Sequence, residues 1–420
     1  MADKQGTAGG RLRTITIDQA LSSASNILVT VLAARLLGIE SFGLFGIVFL
    51  VYVTIAGVSR ALVGEPLLVR PQESEERPGE AIGTSLVLGV GLGVIVALGG
   101  AIAAVWQREL GTALVMLAIS APLLLLQDLG RYLAFATHRP ARALRLDVTW
   151  LVLVIVAVIG LKAADAKTLT WFIVAWAGTG ALAGLLVFWQ YRGSRVQLGI
   201  GWLRETWPFS WRYALSFAST QGAVLLGSIA LAGILGAASL GAVRGALLLY
   251  GPLVQFQAAA VAHGVTEVSR MPAGSPDVPR HVRRSTLLTT GAAAANMVFL
   301  LLLPDAAGTA VLGATWPETQ TLLWPAGTQM LFLGAISGVR SALLGLRAVK
   351  RTLRIDIATT VITFTTTVTG AIVGGVVTAF WFLAAGQAAL AVVWWVAYWD
   401  HQRHGAPSEV VEPAQPVLRQ

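Results

Sequence analysis

The stretch Arg131–Asp147, RYLAFATHRPARALRLD, occurs a second time as Arg340–Asp356, RSALLGLRAVKRTLRID. In both copies an apolar run ends in an arginine and passes through a short basic turn. An arginine, a hydrophobic residue and an aspartate then come directly before the next apolar run. The residues that match at a constant offset are Arg131, Arg142, Arg145 and Asp147 in the first copy and Arg340, Arg351, Arg354 and Asp356 in the second. A repeat on this scale predicts a chain built from two related halves.

The composition is that of a membrane protein. Hydrophobic residues make up 55% of the chain and charged residues 12%, with a mean hydropathy of +0.72. A soluble domain of this length could not bury so much apolar surface. The chain has no cysteine, which excludes disulfides and thiolate metal sites. The polar N-terminus lacks a signal-peptide pattern, so we expect no cleaved leader.

Apolar runs of roughly 20 residues mark about twelve membrane-spanning helices. An all-α, polytopic membrane protein is therefore the predicted fold class. Closely spaced small residues such as Gly89, Gly91 and Gly93 favour tight helix packing in lipid. Three prolines within the predicted spans are expected to kink their helices, namely Pro122, Pro252 and Pro325. The predicted spans are 14–36, 42–64, 82–105, 111–133, 146–163, 168–189, 209–231, 236–262, 285–303, 321–343, 354–377 and 379–399.

The connections between these spans alternate in charge. Basic residues crowd the N-terminus and every second connection, whereas the opposite connections offer only Arg108, Lys162 and Lys167. Under the positive-inside rule, this asymmetry places both termini in the cytoplasm of a bacterial cell whose inner membrane the protein crosses many times. The tail 401–420 lacks periodicity and is expected to be a disordered cytoplasmic extension.

The repeat extends beyond the opening stretch. ALSSAS at Ala20–Ser25 returns as ALSFAS at Ala214–Ser219, and the LG turn of Leu37–Tyr52 returns at Leu235–Tyr250. Six helices per half is an even number, so the two halves run parallel and are related by an axis along the membrane normal. We therefore predict six-helix bundles over 1–200 and 201–400 with a cleft between them. This is the architecture of an alternating-access transporter.

The run DQALSSASNILVTVLAARLLGIESFGLFGIVFLVY and the basic turn after the fourth helix resemble the Wzx-type flippases. These form the polysaccharide transport family within the exporter superfamily that also holds the multidrug and toxin extrusion transporters and the lipid II flippase. Length, helix count and the six-plus-six repeat extend the resemblance over nearly the whole chain. It implies that a polyprenyl-pyrophosphate-linked oligosaccharide or polysaccharide precursor is moved across the cytoplasmic membrane.

Ionisable groups within membrane helices are costly and indicate function by default. Here they are mostly cationic, with Asp18 and Asp128 as the chief opposing acids. Guanidinium groups lining a cleft would attract a diphosphate head group through bidentate hydrogen bonds and repel organic cations. The candidate substrate-binding residues are Arg35, Arg60, Arg131, Arg212, Arg244 and Arg340.

Simpler interpretations of these residues stay open. Arginines near cytoplasmic helix ends can extend to the interface and only set topology. Asp128 and Arg131 are three residues apart on one helical face and can neutralise each other. Asp147 and Asp356 are interpreted as structural acids at helix starts, where the helix dipole favours them.

Arg244 and Arg35 are more informative because they lie near the outer helix ends, where the charge rule does not favour arginine. Arg244 has no acid near it in sequence and is expected to face the cleft. Arg35 has Glu40 close enough to pair with it. Asp18, together with Asp128, is a candidate carrier of a coupling proton or sodium ion, although for Asp18 an ion pair with Arg11 or Arg13 is the favoured interpretation.

Other chemistry leaves no trace in the sequence. There is no Walker A loop, the five histidines form no metal-ligand spacing, and no cofactor is expected. No connection is long enough for a catalytic domain, so an enzyme such as a membrane polymerase is disfavoured. The basic connections fit topology and anionic lipid better than nucleic acid. The alternative to a flippase is a cation-coupled antiporter of drugs or metabolites on the same fold.

Overall fold

A computed structural model gives the structure of the chain and describes residues 27–404, apart from 273 and 347. The side chains of a few helical residues, Arg212 among them, lie outside this description. Within the described part the regular secondary structure is helical and contains no strand, which confirms the predicted all-α fold class.

Each predicted span overlaps a helix, although the first span lies partly outside the described residues. We number the long helices α1 to α12 in chain order. They are α1 (Ile27–Leu36), α2 (Ile39–Ser59, continued by Arg60–Gly64 and Glu65–Val69), α3 (Pro78–Ala104), α4 (Arg108–Ala136), α5 (Pro140–Ala163), α6 (Leu169–Ile173, Val174–Gly178 and Thr179–Gln190), α7 (Gly201–Leu235), α8 (Ala237–Ser269), α9 (Asp277–Leu301), α10 (Trp316–Gly345), and α11 and α12, which together form Val349–His404.

Among the described residues, eight helices are long and apolar enough to cross a membrane. The last of them, Arg351–Arg403, counts once although it is two helices: its backbone leaves the helical region at Gly374 and Gly375. Gly375 has φ of +80°, a conformation that glycine adopts without steric cost. Gly236 has the same φ and ends α7 in the second Leu-Gly turn.

The packing of α3 on α4 follows the prediction from small residues. A Cβ on Gly89 would lie 2.8 Å from the backbone of Pro122, and one on Gly93 would lie 2.8 Å from the carbonyl oxygen of Ala118. Gly91, on another side of α3, meets nothing within 4 Å. Two of the three glycines therefore permit the close approach of these helices. Pro122 lies inside α4, which continues through it.

The described helices form two compact units. Unit 1 comprises 27–249, 303–322 and 371–376, and its core includes Leu67, Ile82 and Trp202. Unit 2 comprises 250–302, 323–370 and 377–404, and its core includes Val339 and Trp394. The boundary predicted near residue 200 stays a prediction.

The connection before α3 is held by a cluster of charges in unit 1. The guanidinium of Arg77 lies 2.8 Å from Glu205 at the start of α7 and 3.2 Å from Glu80, and it also approaches Glu73. The hydrogen bond from Arg77 holds the pKa of the Glu205 carboxyl below its usual range. These contacts link the start of α7 to the start of α3.

Candidate functional site

The site of unit 1 begins at Arg60, where α2 widens into a π-helical turn, Arg60–Gly64. Such turns occur frequently at functional sites because they redirect side chains within a helix. The Arg60 side chain reaches α4, where its Nε donates to Asp128 Oδ2 at 2.6 Å and its Nη2 donates to Oδ1 at 2.9 Å. Asp128 is buried, so this is a bidentate ion pair with a desolvated carboxylate.

Arg131 extends the pair into a network. One turn after Asp128, its Nη1 lies 3.6 Å from Asp128 Oδ1, as the three-residue spacing predicted. Its Nε lies 3.2 Å from Asp147 Oδ2 on α5. Gln127 donates from Nε2 to Asp147 Oδ1 at 3.0 Å. Two arginines and two aspartates thus alternate across α2, α4 and α5, and their formal charges cancel.

A cavity of about 120 Å³ borders this network. The four charged side chains and Gln127 form its polar part, and Phe49, Tyr52, Trp150 and Trp176 form much of its apolar part. The rings of Phe49, Tyr52 and Trp176 pack on one another, with Tyr52 and Trp176 edge to face at 5.1 Å, and Trp150 donates from its ring nitrogen to the Trp176 carbonyl. This volume suffices for a few water molecules or a small cation beside carboxylates.

Asp147 is not among the site residues predicted from the sequence, where Asp147 and Asp356 are interpreted as structural acids at helix starts. Their placement at helix starts is wrong, and their structural role stays a prediction. The helix that holds Asp147 begins at Pro140 and has no acid in its first turn, and the helix that holds Asp356 begins at Val349 and likewise has none. Both aspartates lie about two turns in, beyond the reach of the dipole effect. The usable signal was the shared spacing from Arg131 to Asp147 and from Arg340 to Asp356.

Unit 2 repeats part of the site. Arg340 Nη2 lies 3.2 Å from Asp356 Oδ1, and its guanidinium carbon lies 5.9 Å from the centre of the Trp394 ring. Ser337 stands where unit 1 has Asp128, three residues before the arginine, and its hydroxyl donates to the Leu333 carbonyl. The repeated arginines therefore contact the repeated aspartates in both units.

Arg244, on α8 within unit 1, has a different setting. Its guanidinium carbon lies 4.3 Å from the centre of the Phe49 ring, and its methylene groups pass Gly46. Its Nε is buried without a hydrogen-bond partner. Arg60, Arg131 and Arg340 each form an ion pair with an aspartate. Within the described part of the chain, Arg244 forms none.

The other candidates are less defined. Arg35 is exposed at the end of α1, and within the described part of the chain no ion pair joins it to Glu40. Asp18 lies outside the described residues, and so does the side chain of Arg212. As binding or coupling residues, all of the named arginines and aspartates stay predictions.

Comparison with known proteins identifies the fold. No family model matches the chain, and no curated protein matches it. Among solved structures, it is similar to a multidrug resistance MATE family transporter of the MOP superfamily in the inward-facing conformation, with TM-score 0.68 and 16% identity over 94% of this chain and 98% of that one. An outward-facing multidrug resistance MATE family transporter gives TM-score 0.57 and 15% identity over 93% and 94% of the two chains.

A third similar structure is a MOP superfamily transporter from Pyrococcus furiosus, for which a binding pocket of reverse polarity suggests a different function. It gives TM-score 0.59 and 15% identity over 94% of this chain and 95% of that one. The chain thus has the fold of MATE transporters, and at these identities the likeness concerns the fold. The Wzx-type subfamily expected from the sequence is not distinguished by these structures.

Proposed function

We propose that the chain is a secondary transporter that exports a drug or metabolite in exchange for a cation. Its fold is that of transporters whose inward-facing and outward-facing forms are known, which supports alternating access. The observation that carries the choice of substrate is the charge balance in unit 1. Arg60 and Arg131 are matched by Asp128 and Asp147, so these arginines supply no surplus of positive charge for a diphosphate.

Asp128 is the proposed carrier of the coupling proton. It is buried and holds Arg60 through both oxygens, so a proton on either oxygen would remove one acceptor and the negative charge. Arg60 would then lose its ion pair within the membrane, which is costly, and its helix would favour another position. Protonation at one site is thereby coupled to the π-helical turn at Arg60–Gly64.

A second candidate function is export of an anionic, lipid-linked glycan precursor, as the Wzx resemblance implies. Arg244 favours it, because its guanidinium lies on an aromatic ring and no recorded carboxylate neutralises it in the described part of unit 1. An arginine prepared in this way suits a phosphate group. In both candidates the substrate is carried and not chemically changed, so the chain is not proposed to be an enzyme.

Transport assays separate the two candidates. In inverted membrane vesicles with an imposed pH gradient, a fluorescent organic cation should be taken up and should partly dissipate the gradient. Asp128→Asn should abolish this exchange, whereas Asp356→Asn, at the half-exposed aspartate of unit 2, should keep it. In a deletion strain, altered drug tolerance with unchanged lipid intermediates supports the antiporter. Accumulated inward-facing lipid-linked oligosaccharide would instead overturn it in favour of the second candidate.

A further inference from the structure

Unit 1 contains a second, larger cavity that is unrelated to the charge network. It is a groove of about 790 Å³ between α2, α3, α4 and the last three turns of α7, a volume typical of ligand pockets. Leu44, Ile47, Ile95 and Ile229 are representative of its mostly aliphatic lining. Among the lining residues that the structure describes, Glu40 is the single charged one.

The charged residue and two connections between helices lie at one end of the groove, whereas Thr54, toward the other end, donates its hydroxyl to the Leu50 carbonyl. Glu40 lies in the first turn of α2, Gln107 lies in the α3–α4 connection and Gly236 lies in the α7–α8 connection. All three residues therefore lie at the same end of the groove. From Glu40 to Ile55, the lining residues of α2 cover about 22 Å at 1.5 Å per residue. One leaflet of the hydrocarbon core is about 15 Å thick. The groove is thus long enough to hold an acyl chain with its head group beside Glu40.

Glu40 itself is available to a ligand. Its neighbour in this region, Glu109, already accepts hydrogen bonds from the Ser41 hydroxyl and the Leu169 N–H, both at 3.1 Å. Glu40 is exposed and, within the described residues, has no recorded ion pair or side-chain hydrogen bond. A carboxylate at the mouth of an apolar groove in a membrane calls for a cationic partner. Arg108, exposed beside Gln107, supplies a cation for a phosphate at the same end.

We propose that this groove binds a phospholipid with a primary ammonium head group, such as a phosphatidylethanolamine. The hydrocarbon tail occupies the aliphatic lining, the ammonium donates to Glu40 and the phosphate lies toward Arg108. A trimethylated choline head group has the same net charge but no N–H to donate. The site therefore discriminates between two lipids that differ only in methylation of the amine. This inference concerns lipid binding and does not depend on which substrate is transported.

The test uses the full-length protein purified in detergent, with lipid retention measured by native mass spectrometry. Phosphatidylethanolamine and phosphatidylcholine with identical acyl chains are titrated separately. The ethanolamine lipid should bind the unchanged protein about fivefold more tightly, as expected for the N–H hydrogen bonds to Glu40 that a choline head group cannot donate. Glu40→Leu removes the acceptor and should abolish the preference, whereas Glu75→Leu, at an exposed acid outside the groove, should keep it.

Filling the groove provides an independent variant. A Cβ on Gly99 meets nothing within 4 Å, so Gly99→Phe can enter the groove without a backbone clash and should displace both lipids. Gly91→Phe is the matched control, since Gly91 lies on the same helix, is equally unobstructed and is not in the lining. Equal affinity for both lipids, or full retention in Gly99→Phe, would overturn the proposal. Displacement of the lipid by equimolar tetraphenylphosphonium would overturn it as well, because the groove would then hold a lipophilic cation.

Discussion

The repeated arginine and aspartate form the same contact in two different surroundings. In unit 1, Arg131 and Asp147 lie 3.2 Å apart, and their side chains are 11% and 6% exposed. In unit 2, Arg340 and Asp356 lie 3.2 Å apart, but 42% and 40% exposed. Duplication has kept the pair and changed its environment. The buried copy is joined to Asp128 and Arg60, whereas the exposed copy has Ser337 in place of the second acid.

Unit 2 has a counterpart of neither Arg60 nor Asp128, the two residues that form an ion pair in unit 1. Tyr52 and Tyr250 are equivalent in the repeat, and Arg60 follows the first by eight residues just as Ala258 follows the second. Unit 2 thus lacks both the added arginine and the added aspartate. A buried charge without its partner is unfavourable, so the two residues are expected to have been gained or lost together. The extra pair marks unit 1 as the more specialised half.

The largest expected effect comes from removing one carboxylate in each unit. Asp147→Asn leaves Arg131 with a weakened set of buried partners and should destabilise unit 1 by about 3 to 5 kcal/mol. Asp356→Asn acts on a half-exposed pair, whose charges solvent screens in part, and should cost about 1 kcal/mol or less. Thermal unfolding of the two variants in detergent, with membrane abundance measured alongside, checks the difference. Equal losses would mean that burial does not distinguish the two pairs.

A reconstruction of the unit 1 network in unit 2 gives the next effect. Ser337 is buried, so Ser337→Asp places a carboxylate there with only Arg340 near it in sequence. We expect a loss of about 1 to 3 kcal/mol. Adding Ala258→Arg should recover part of that loss, because Gln257 already bonds the Met330 carbonyl of α10 across the same helix pair. A double variant no more stable than Ser337→Asp would show that the unit 2 backbone cannot bring the two side chains together.

How far the sequence predicted the structure depends on the kind of signal. Twelve apolar runs located the helices because apolar length is a local property of the chain. The repeat indicated that Arg131 and Arg340 are equivalent, since equivalence is visible in the letters themselves. The partners of Arg60 could not be inferred, because Asp128 lies 68 residues away and a long-range contact leaves no periodic pattern. The charge balance of the site depended on that contact.

Arg60 and Arg131 are balanced by two acids, Asp128 and Asp147, and only the first is counted as an opposing acid from the sequence. Asp147 is assigned there to a helix start. The basic turn that precedes Asp147 was taken as a connection, whereas α5 begins at Pro140 within that turn. Proline at the first helical position is favourable, so the helix begins earlier than the apolar run. The boundary shift moves Asp147 into the interior of α5 and toward Arg131.

Arg244 sharpens the comparison because it is charged but lacks the acid that Arg131 and Arg340 each have. If it binds substrate, Arg244→Ala should lower transport about tenfold, roughly 1.4 kcal/mol, without reducing membrane abundance. Arg244→Lys keeps the charge but loses the planar group over Phe49, so its transport rate should lie between those of the unchanged protein and Arg244→Ala. Vesicle transport at matched protein levels is the measurement. Normal transport by Arg244→Ala removes this residue from the site.

The mildest substitutions place lysine at the two repeated arginines. A lysine ammonium keeps the charge but loses the planar fork. Arg131→Lys cannot hold Asp128 and Asp147 at once in the present geometry and should lower the free energy of unfolding by about 1.5 to 3 kcal/mol. Arg340→Lys keeps the ion pair with Asp356 and loses only the stacking of the guanidinium near the Trp394 ring. Such a cation–π contact contributes about 0.5 to 1 kcal/mol at exposed sites. Melting curves recorded side by side measure the difference. If Arg340→Lys is as damaging as Arg131→Lys, the arginine is required by the repeat itself, and the buried network adds nothing to its role.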